Sequence, residues 1–357
     1  MQTGAKSTRD LSGLPPYIGA KSSKYGNSMM TPNSMQEIKD KALGFMVEAE
    51  WDEAAPLIEE ILTLKNERNA VILAHNYMTR DIFHTVADVV GDSLQLAIEA
   101  TKTDADVIVQ CGVHFMAETS KILNPGKLVL LPSLEAGCSL ASSITADQVR
   151  MIKKKHPGCP VITYVNTSAD VKAASDVCCT SSNALAIVEA MEEKKVIFLP
   201  DQYLAKNIAA QTRKTIVTWA GACEVHERFT GADIKTVKEA NPGVKVLAHP
   251  ECPPEVIAEA DFAGSTAKLI DYVKEHKPEQ VALITECSMA SNIAAETSDI
   301  EFIQPCHLCP HMQEITLTNI RDALRDNKHV IEVDEEIAAD ARKAVERMIE
   351  LSQPKAS

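Results

Sequence analysis

The run VILAHNY, residues 71–77, sets four apolar residues ahead of three polar ones. Continuous apolar runs of this length read as strands buried on both faces, the pattern of a parallel sheet covered by helices. The polar residues then fall at the strand's C-terminal end, where open parallel sheets carry their ligands. Two later runs repeat the design: VITYVNT from Val161 and VKVLAHPE from Val244. The three strand ends are His75-Asn76-Tyr77, Tyr164-Val165-Asn166 and His249-Pro250-Glu251, with 91 residues from His75 to Asn166 and 85 from Asn166 to Glu251.

Each run leads a set of three strands. The first set adds VIVQCGVHF from Val107 and LVLLPSL from Leu128. The second adds VIFLPDQ from Val196 and TIVTWAG from Thr215, and the third VALITEC from Val281 and EFIQPC from Glu301. Within each set an aspartate precedes a hydroxyl by five residues: Asp88 to Ser93, Asp176 to Ser181, and Asp261 to Thr266. A helix-like run follows each hydroxyl. The last strand of each set runs into Cys138, Cys223 and Cys309, which are 85 and 86 residues apart. A period near 86 residues in three independent features is too long for a solenoid unit and points to three similar α/β/α domains.

The expected organisation is a disordered tail over residues 1–33, rich in Gly, Ser and Pro, then a first α/β/α repeat over 34–142 with its N-terminal helices. The second repeat covers 143–228 and the third 229–312, while helices over 313–357 complete the first. Residues 35–66 read as helical, with Pro56 near the start of the second helix there. The net charge of −14 argues against nucleic acid and anionic membrane as partners. No apolar run reaches the roughly 18 residues that span a bilayer. Ten cysteines with no compact Cys-rich framework read as reduced thiols, metal ligands or small buried residues rather than disulfides, which places the chain in the cytoplasm.

An isolated buried cysteine is commonly just a small hydrophobe. Three at matching repeat positions are better read as metal ligands, and three thiolates suit a [4Fe–4S] cluster with one iron left open. A structural zinc would want four ligands and close CxxC pairs. Cys306-His307-Leu308-Cys309 is one such pair, so zinc stays a rival, and the spacing only weakly separates Cys309 from Cys306. Ser93, Ser181 and Thr266 precede helices and read equally as N-caps or as parts of anion sites at helix N-termini. His75, Tyr77, Tyr164, Asn166, His249 and Glu251 share one position of the repeat and supply proton carriers and oxyanion donors. His226, three residues after Cys223, joins them.

These residues carry a family resemblance. AHNY, GDSLQLA, EAGCSLA, YVNT, CCTSSNA, FLPDQYL, AHPEC, AGST and CxxCP, spread from about Val71 to about Leu317, resemble the quinolinate synthase family. The resemblance implies three pseudo-threefold related α/β/α domains with parallel sheets around a central active site. It also implies one [4Fe–4S] cluster on Cys138, Cys223 and Cys309, the last chosen because it precedes Pro310. The implied reaction condenses iminoaspartate with dihydroxyacetone phosphate to quinolinate, phosphate and water in NAD biosynthesis. An L-aspartate-oxidising enzyme would supply the imine. Carried over by position, His75, Ser93, Tyr164, Asn166, Ser181, His249, Glu251 and Thr266 would contact substrate, and Tyr77 and His226 would be further active-site groups. The chain departs from relatives that carry CxxCxxC, because Ile303 stands at the first of those positions. Two other readings are a cluster-bearing electron carrier or sensor, and a sugar-phosphate enzyme with structural zinc.

Overall fold

A computed structural model describes residues 32–297 and 299–352. Among these residues twelve strands form three four-stranded sheets. The first contains β1 (Ala70–His75), β2 (Val89–Gly91), β3 (Val107–Cys111) and β4 (Leu128–Leu130). The second contains β5 (Val161–Tyr164), β6 (Val177–Cys179), β7 (Lys195–Leu199) and β8 (Thr215–Thr218). The third contains β9 (Lys245–Ala248), β10 (Phe262–Ala263), β11 (Gln280–Ile284) and β12 (Glu301–Ile303). Their orders are β2-β1-β3-β4, β6-β5-β7-β8 and β10-β9-β11-β12, and every pairing is parallel. Helices cover the sheets, so the central strands are buried and apolar along their length, as parallel strands must be. The fold is α/β with three parallel sheets, as the repeat implies.

Each sheet has one strand more than the three read from sequence. The additional strands β2, β6 and β10 are only two or three residues long, too short to give an apolar run. The aspartate ahead of each explains its place. The backbone N–H of Ile72 donates to Asp88 Oδ2 at 2.8 Å, that of Val161 to Asp176 Oδ2 at 2.8 Å, and that of Val246 to Asp261 Oδ2 at 2.9 Å. A lysine 23 residues earlier pairs with each carboxylate: Lys65 with Asp88 at 2.6 Å, Lys153 with Asp176 at 2.7 Å, and Lys238 with Asp261 at 3.4 Å. The repeated aspartate is thus a clasp near the start of each leading strand.

The expected tail lies outside the described residues except for its last two, which begin the helix Pro32–Ala42. Pro56 sits inside the helix Glu48–Glu67 rather than near its start. Proline removes one N–H there, and both Pro56 and Asp52, whose carbonyl loses that partner, are exposed to water. The C-terminal helix Leu317–Asp326 lies against Glu48–Glu67 and β3. Glu335–Leu351 lies against Ala169–Ala173, β6, Ala184–Ala190 and His114–Leu123, bridging the first two sheets' surroundings. Among the described residues no helix is long and apolar enough to cross a membrane. One cysteine expectation is corrected: Cys287 and Cys306 form a disulfide. The sequence pattern could not show this, because their proximity arises only when the loop after β12 folds back beside β11, where Glu286 and His307 form a parallel bridge.

Candidate active site

The C-terminal ends of the three sheets meet around one partly open cavity. His75, Tyr77, Ser93, Cys138, Tyr164, Asn166, Ser181, Cys223, His249, Glu251, Thr266 and Cys309 all line it. His226, the remaining residue singled out from sequence, is buried beside it. No lysine or arginine is among the lining residues, so an anionic ligand here meets hydroxyls, amides and imidazoles.

The strand ends turn in matching ways. The N–H of Tyr77 donates to His75 Nδ1 at 3.2 Å, and the N–H of Glu251 donates to His249 Nδ1 at 3.4 Å. Each bond occupies Nδ1 as an acceptor and leaves the ring proton on Nε2. Burial lowers the pKa of His75 to about 4 and that of His249 to about 3, against the opposing influence of Glu251, so both rings are neutral near pH 7.

Glu251 is the hub. Burial works to raise its pKa, but His249 and His226, with the hydroxyl of Tyr164, overcome this and hold the carboxyl below its usual range. The Tyr164 hydroxyl donates to Oε1, and His226 Nδ1 lies 2.8 Å from Oε2. A carboxylate only accepts, so Nδ1 carries the imidazole proton in this bond. His226 Nε2 then faces Thr285 Oγ1 at 3.0 Å, and Thr285 Oγ1 lies 2.7 Å from the Tyr77 hydroxyl. An unbroken chain therefore runs from Tyr77 through Thr285 and His226 to Glu251 and Tyr164. His249 stacks on His226 with ring centroids 4.6 Å apart.

Thr285 was not singled out from sequence. It directly follows β11, and strand ends were read only on the first and last strands of each set. Two residues past β7 stands Asp201, the counterpart of Glu286 after β11 and also missed. Asp201 Oδ1 caps the helix Gln202–Ala209 by accepting from Tyr203 and Leu204 at 2.8 and 3.0 Å. Its carboxyl is pushed well up, first by burial and then by Glu251.

The hydroxyls are not the caps. Asp92 Oδ1 accepts from Gln95 at 2.9 Å and Ser265 Oγ from Lys268 at 3.4 Å, each one residue before the repeat-matched Ser93 and Thr266. In the second unit the helix begins at Ala184, beyond Ser181. With capping done by neighbours, the matched hydroxyls are left to line the cavity. Thr266 Oγ1 is oriented by Asn76 Nδ2 at 2.9 Å. Asn166 Oδ1 is buried and has no hydrogen-bond partner among the described residues.

Cys138, Cys223 and Cys309 follow β4, β8 and β12 and carry free thiols. Burial raises the Cys138 pKa to about 12 and that of Cys309 to about 11, and pushes Cys223 well up. After burial, the Glu251 charge also raises Cys138 and Cys223, with Cys309 adding to the rise at Cys138 and Cys138 to that at Cys223. Ser139 Oγ joins two of the loops, donating to the Ala222 carbonyl at 3.2 Å and accepting from the Glu224 N–H at 3.1 Å. Glu286 Oε1 accepts from the Cys309 N–H at 3.3 Å. Of the CxxC pair only Cys309 is free, since Cys306 is bound to Cys287. A second donor group, Cys223, His226 and Glu251, has its ligand atoms within 4.8 Å of one another.

The family model described as Quinolinate synthetase A protein matches residues 59–350. The chain belongs to that family. It is 59% identical over 322 residues to quinolinate synthase 1 of Mesorhizobium japonicum, covering 90% of this chain and 99% of the relative. It is 56% identical over 347 residues to quinolinate synthase of Sinorhizobium fredii, covering 95% and 96%. It is 61% identical over 292 residues to quinolinate synthase of Xylella fastidiosa, covering 82% and 86%. The family match spans all three sheets, the helix Leu317–Asp326 and all but the last residue of Glu335–Leu351.

Proposed function

We propose that the chain is a quinolinate synthase, condensing iminoaspartate with dihydroxyacetone phosphate to quinolinate, phosphate and water in de novo NAD biosynthesis. The observation that carries this reading is the Glu251 hub, linked to two tyrosines and a histidine, in one cavity with three free thiols. The family relatives share the name, and their imine would come from an L-aspartate-oxidising enzyme in the cytoplasm.

Three free thiols lining one cavity fit the donor set of a [4Fe–4S] cluster with one uncoordinated iron, so Cys138, Cys223 and Cys309 would hold it. When bound, such a cluster supplies a Lewis acid for loss of a hydroxyl as water. The protein's own groups do the rest. Ser93, Ser181, Thr266 and Asn166 bind the two carboxylates and the phosphate through neutral donors. Neutral His75 and His249 present Nε2–H groups to developing negative charge on oxygen. Glu251, held ionised, takes a proton from carbon as the new C–C bond forms and gives it up to the hydroxyl that leaves as water, while Tyr77, through Thr285 and His226, and Tyr164 keep donors aimed at its two oxygens. The buried walls keep the imine from water.

The full chain isolated without oxygen should contain iron and labile sulfide and form quinolinate from the two substrates. Colourless protein free of iron, or a cluster-bearing chain that makes no quinolinate, would overturn the reading.

A further inference from the structure

We propose that, in the cluster-free chain, Cys223, His226 and Glu251 form a binding site for a single zinc ion that competes with cluster assembly. The three ligand atoms already converge. His226 Nδ1 lies 2.8 Å from Glu251 Oε2 and 3.2 Å from Cys223 Sγ, and all three atoms fall within 4.8 Å of one another. Tetrahedral zinc with bonds of about 2.0–2.3 Å holds its ligand atoms about 3.3–3.6 Å apart. Opening the two His226 distances by a few tenths of an ångström, with the Cys223 and Glu251 ligand atoms already within 4.8 Å of one another, therefore admits the ion. Thiolate, imidazole and carboxylate together suit zinc, whereas magnesium and calcium want oxygen ligands alone. Zinc also stands above ferrous iron in affinity for such mixed sites.

The ligands have the supporting bonds that zinc sites use. His226 Nε2 faces Thr285 Oγ1 at 3.0 Å, so once Nδ1 turns its lone pair to the metal, Nε2–H can donate to Thr285. Thr285 in turn can donate to Tyr77 across 2.7 Å. Glu251 keeps Oε1 bonded to Tyr164 and offers Oε2. Cys223 and His226 are three residues apart, a chelating pair on one turn. Binding releases the Cys223 thiol proton to solvent, and the fourth metal position opens on the cavity. The competition follows from sharing: Cys223 cannot serve both zinc and the cluster, so that half of the inference rests on the cluster reading, while zinc binding itself does not.

The test is a titration of zinc into the full-length, cluster-free chain without oxygen, with cobalt(II) as the spectroscopic probe. One ion per chain and the charge-transfer intensity of a single thiolate are expected. Cys223→Ser, His226→Ala and Glu251→Gln should each weaken binding by more than 100-fold, and Thr285→Val by about 10–100-fold. Cys138→Ser and Cys309→Ser should bind zinc as the parent does. Thermal melts of every variant separate lost affinity from lost fold, and a variant that fails to melt cooperatively is replaced by His226→Gln or Glu251→Ala. If Cys138→Ser or Cys309→Ser weakens zinc as much as Cys223→Ser does, the ion sits among the three thiols and the site is wrong. If His226→Ala binds normally, the site is equally wrong. Cluster reconstitution should stall in zinc-loaded chain and resume on chelation. Reconstitution at an unchanged rate with zinc retained would overturn the competition. None of the binding measurements needs iron or quinolinate, so their failure is distinct from failure of the proposed reaction.

Discussion

The two ends of the three sheets obey the repeat in different ways. At the starting ends the chain does the same thing three times: a lysine, an aspartate 23 residues later and one backbone N–H make the same clasp. At the finishing ends only the frame repeats. The same two positions hold His75 and Tyr77, then Tyr164 and Asn166, then His249 and Glu251. Framework residues answer to a backbone requirement that is identical in every unit. Cavity residues answer to a ligand without threefold symmetry, so each unit contributes a different functional group.

Changing the finishing ends should abolish chemistry and spare the fold. Cys138→Ser, Cys223→Ser and Cys309→Ser should each reduce bound iron and quinolinate formation to background, because each removes one of only three thiolates. Cys306→Ser should keep a normal cluster; anaerobic iron and sulfide assays on all four variants check this. Colourless Cys306→Ser beside brown Cys309→Ser would exchange their roles. Glu251→Gln should retain the cluster while turnover falls by about 10²–10⁴. Near-parental kcat in that variant would move the base to His249 or His226.

Changing the starting ends should do the opposite, and unequally. The Lys65–Asp88 pair is far more buried than the other two, with side chains 7% and 16% exposed against 42% and 31% for Lys153–Asp176. Asp88→Ala, which leaves a buried lysine unpaired, should cost about 3–5 kcal/mol of stability in urea unfolding. Asp176→Ala and Asp261→Ala should cost about 1.5–3 kcal/mol, mainly the charge-assisted bond to backbone. Equal losses at all three would show that the backbone bond, not the lysine, dominates the clasp.

Acid should act from the cavity end. The folded pKa values of His75 and His249, about 4 and about 3, lie below the ordinary 6.5, so the unfolded chain binds protons that the folded one refuses. The stability they contribute is complete above pH 6.5 and falls by up to about 1.4 kcal/mol per pH unit for each ring between there and about pH 4. Urea midpoints of the parent and His75→Gln across that range check the sign: the variant should lose less. The smallest effects belong to Ser93→Ala, Ser181→Ala and Thr266→Ala, each expected to raise KM by a few-fold, since a single neutral hydrogen bond is worth about 0.5–1.5 kcal/mol. Unchanged KM in all three would remove the hydroxyls from the binding site.

Much of the framework could be read before any coordinates. Short apolar and β-branched runs announced nine strands, and their spacing announced three units. The strand-end residues were legible because they recur at one period, whereas that period separated Cys309 from Cys306 only weakly. The short strands β2, β6 and β10 were not, since two or three residues carry no periodicity. Capping went to Asp92 and Ser265 instead of their neighbours because a one-residue difference in where a helix begins is decided by packing rather than by residue type.

The spacing of like residues was therefore settled along the chain, where burial and hydrogen bonding impose the same local demand in every unit. Thr285 between Tyr77 and His226, Glu251 between His226 and Tyr164, and Cys287 against Cys306 were settled in space. Each of these contacts joins residues from different strands or loops, at separations that vary with how the sheets converge. A one-dimensional pattern records which side chains a strand end offers. Which of them meet, and in what order a proton can pass between them, depends on distances that exist only after three separate sheets have turned their ends to a common centre.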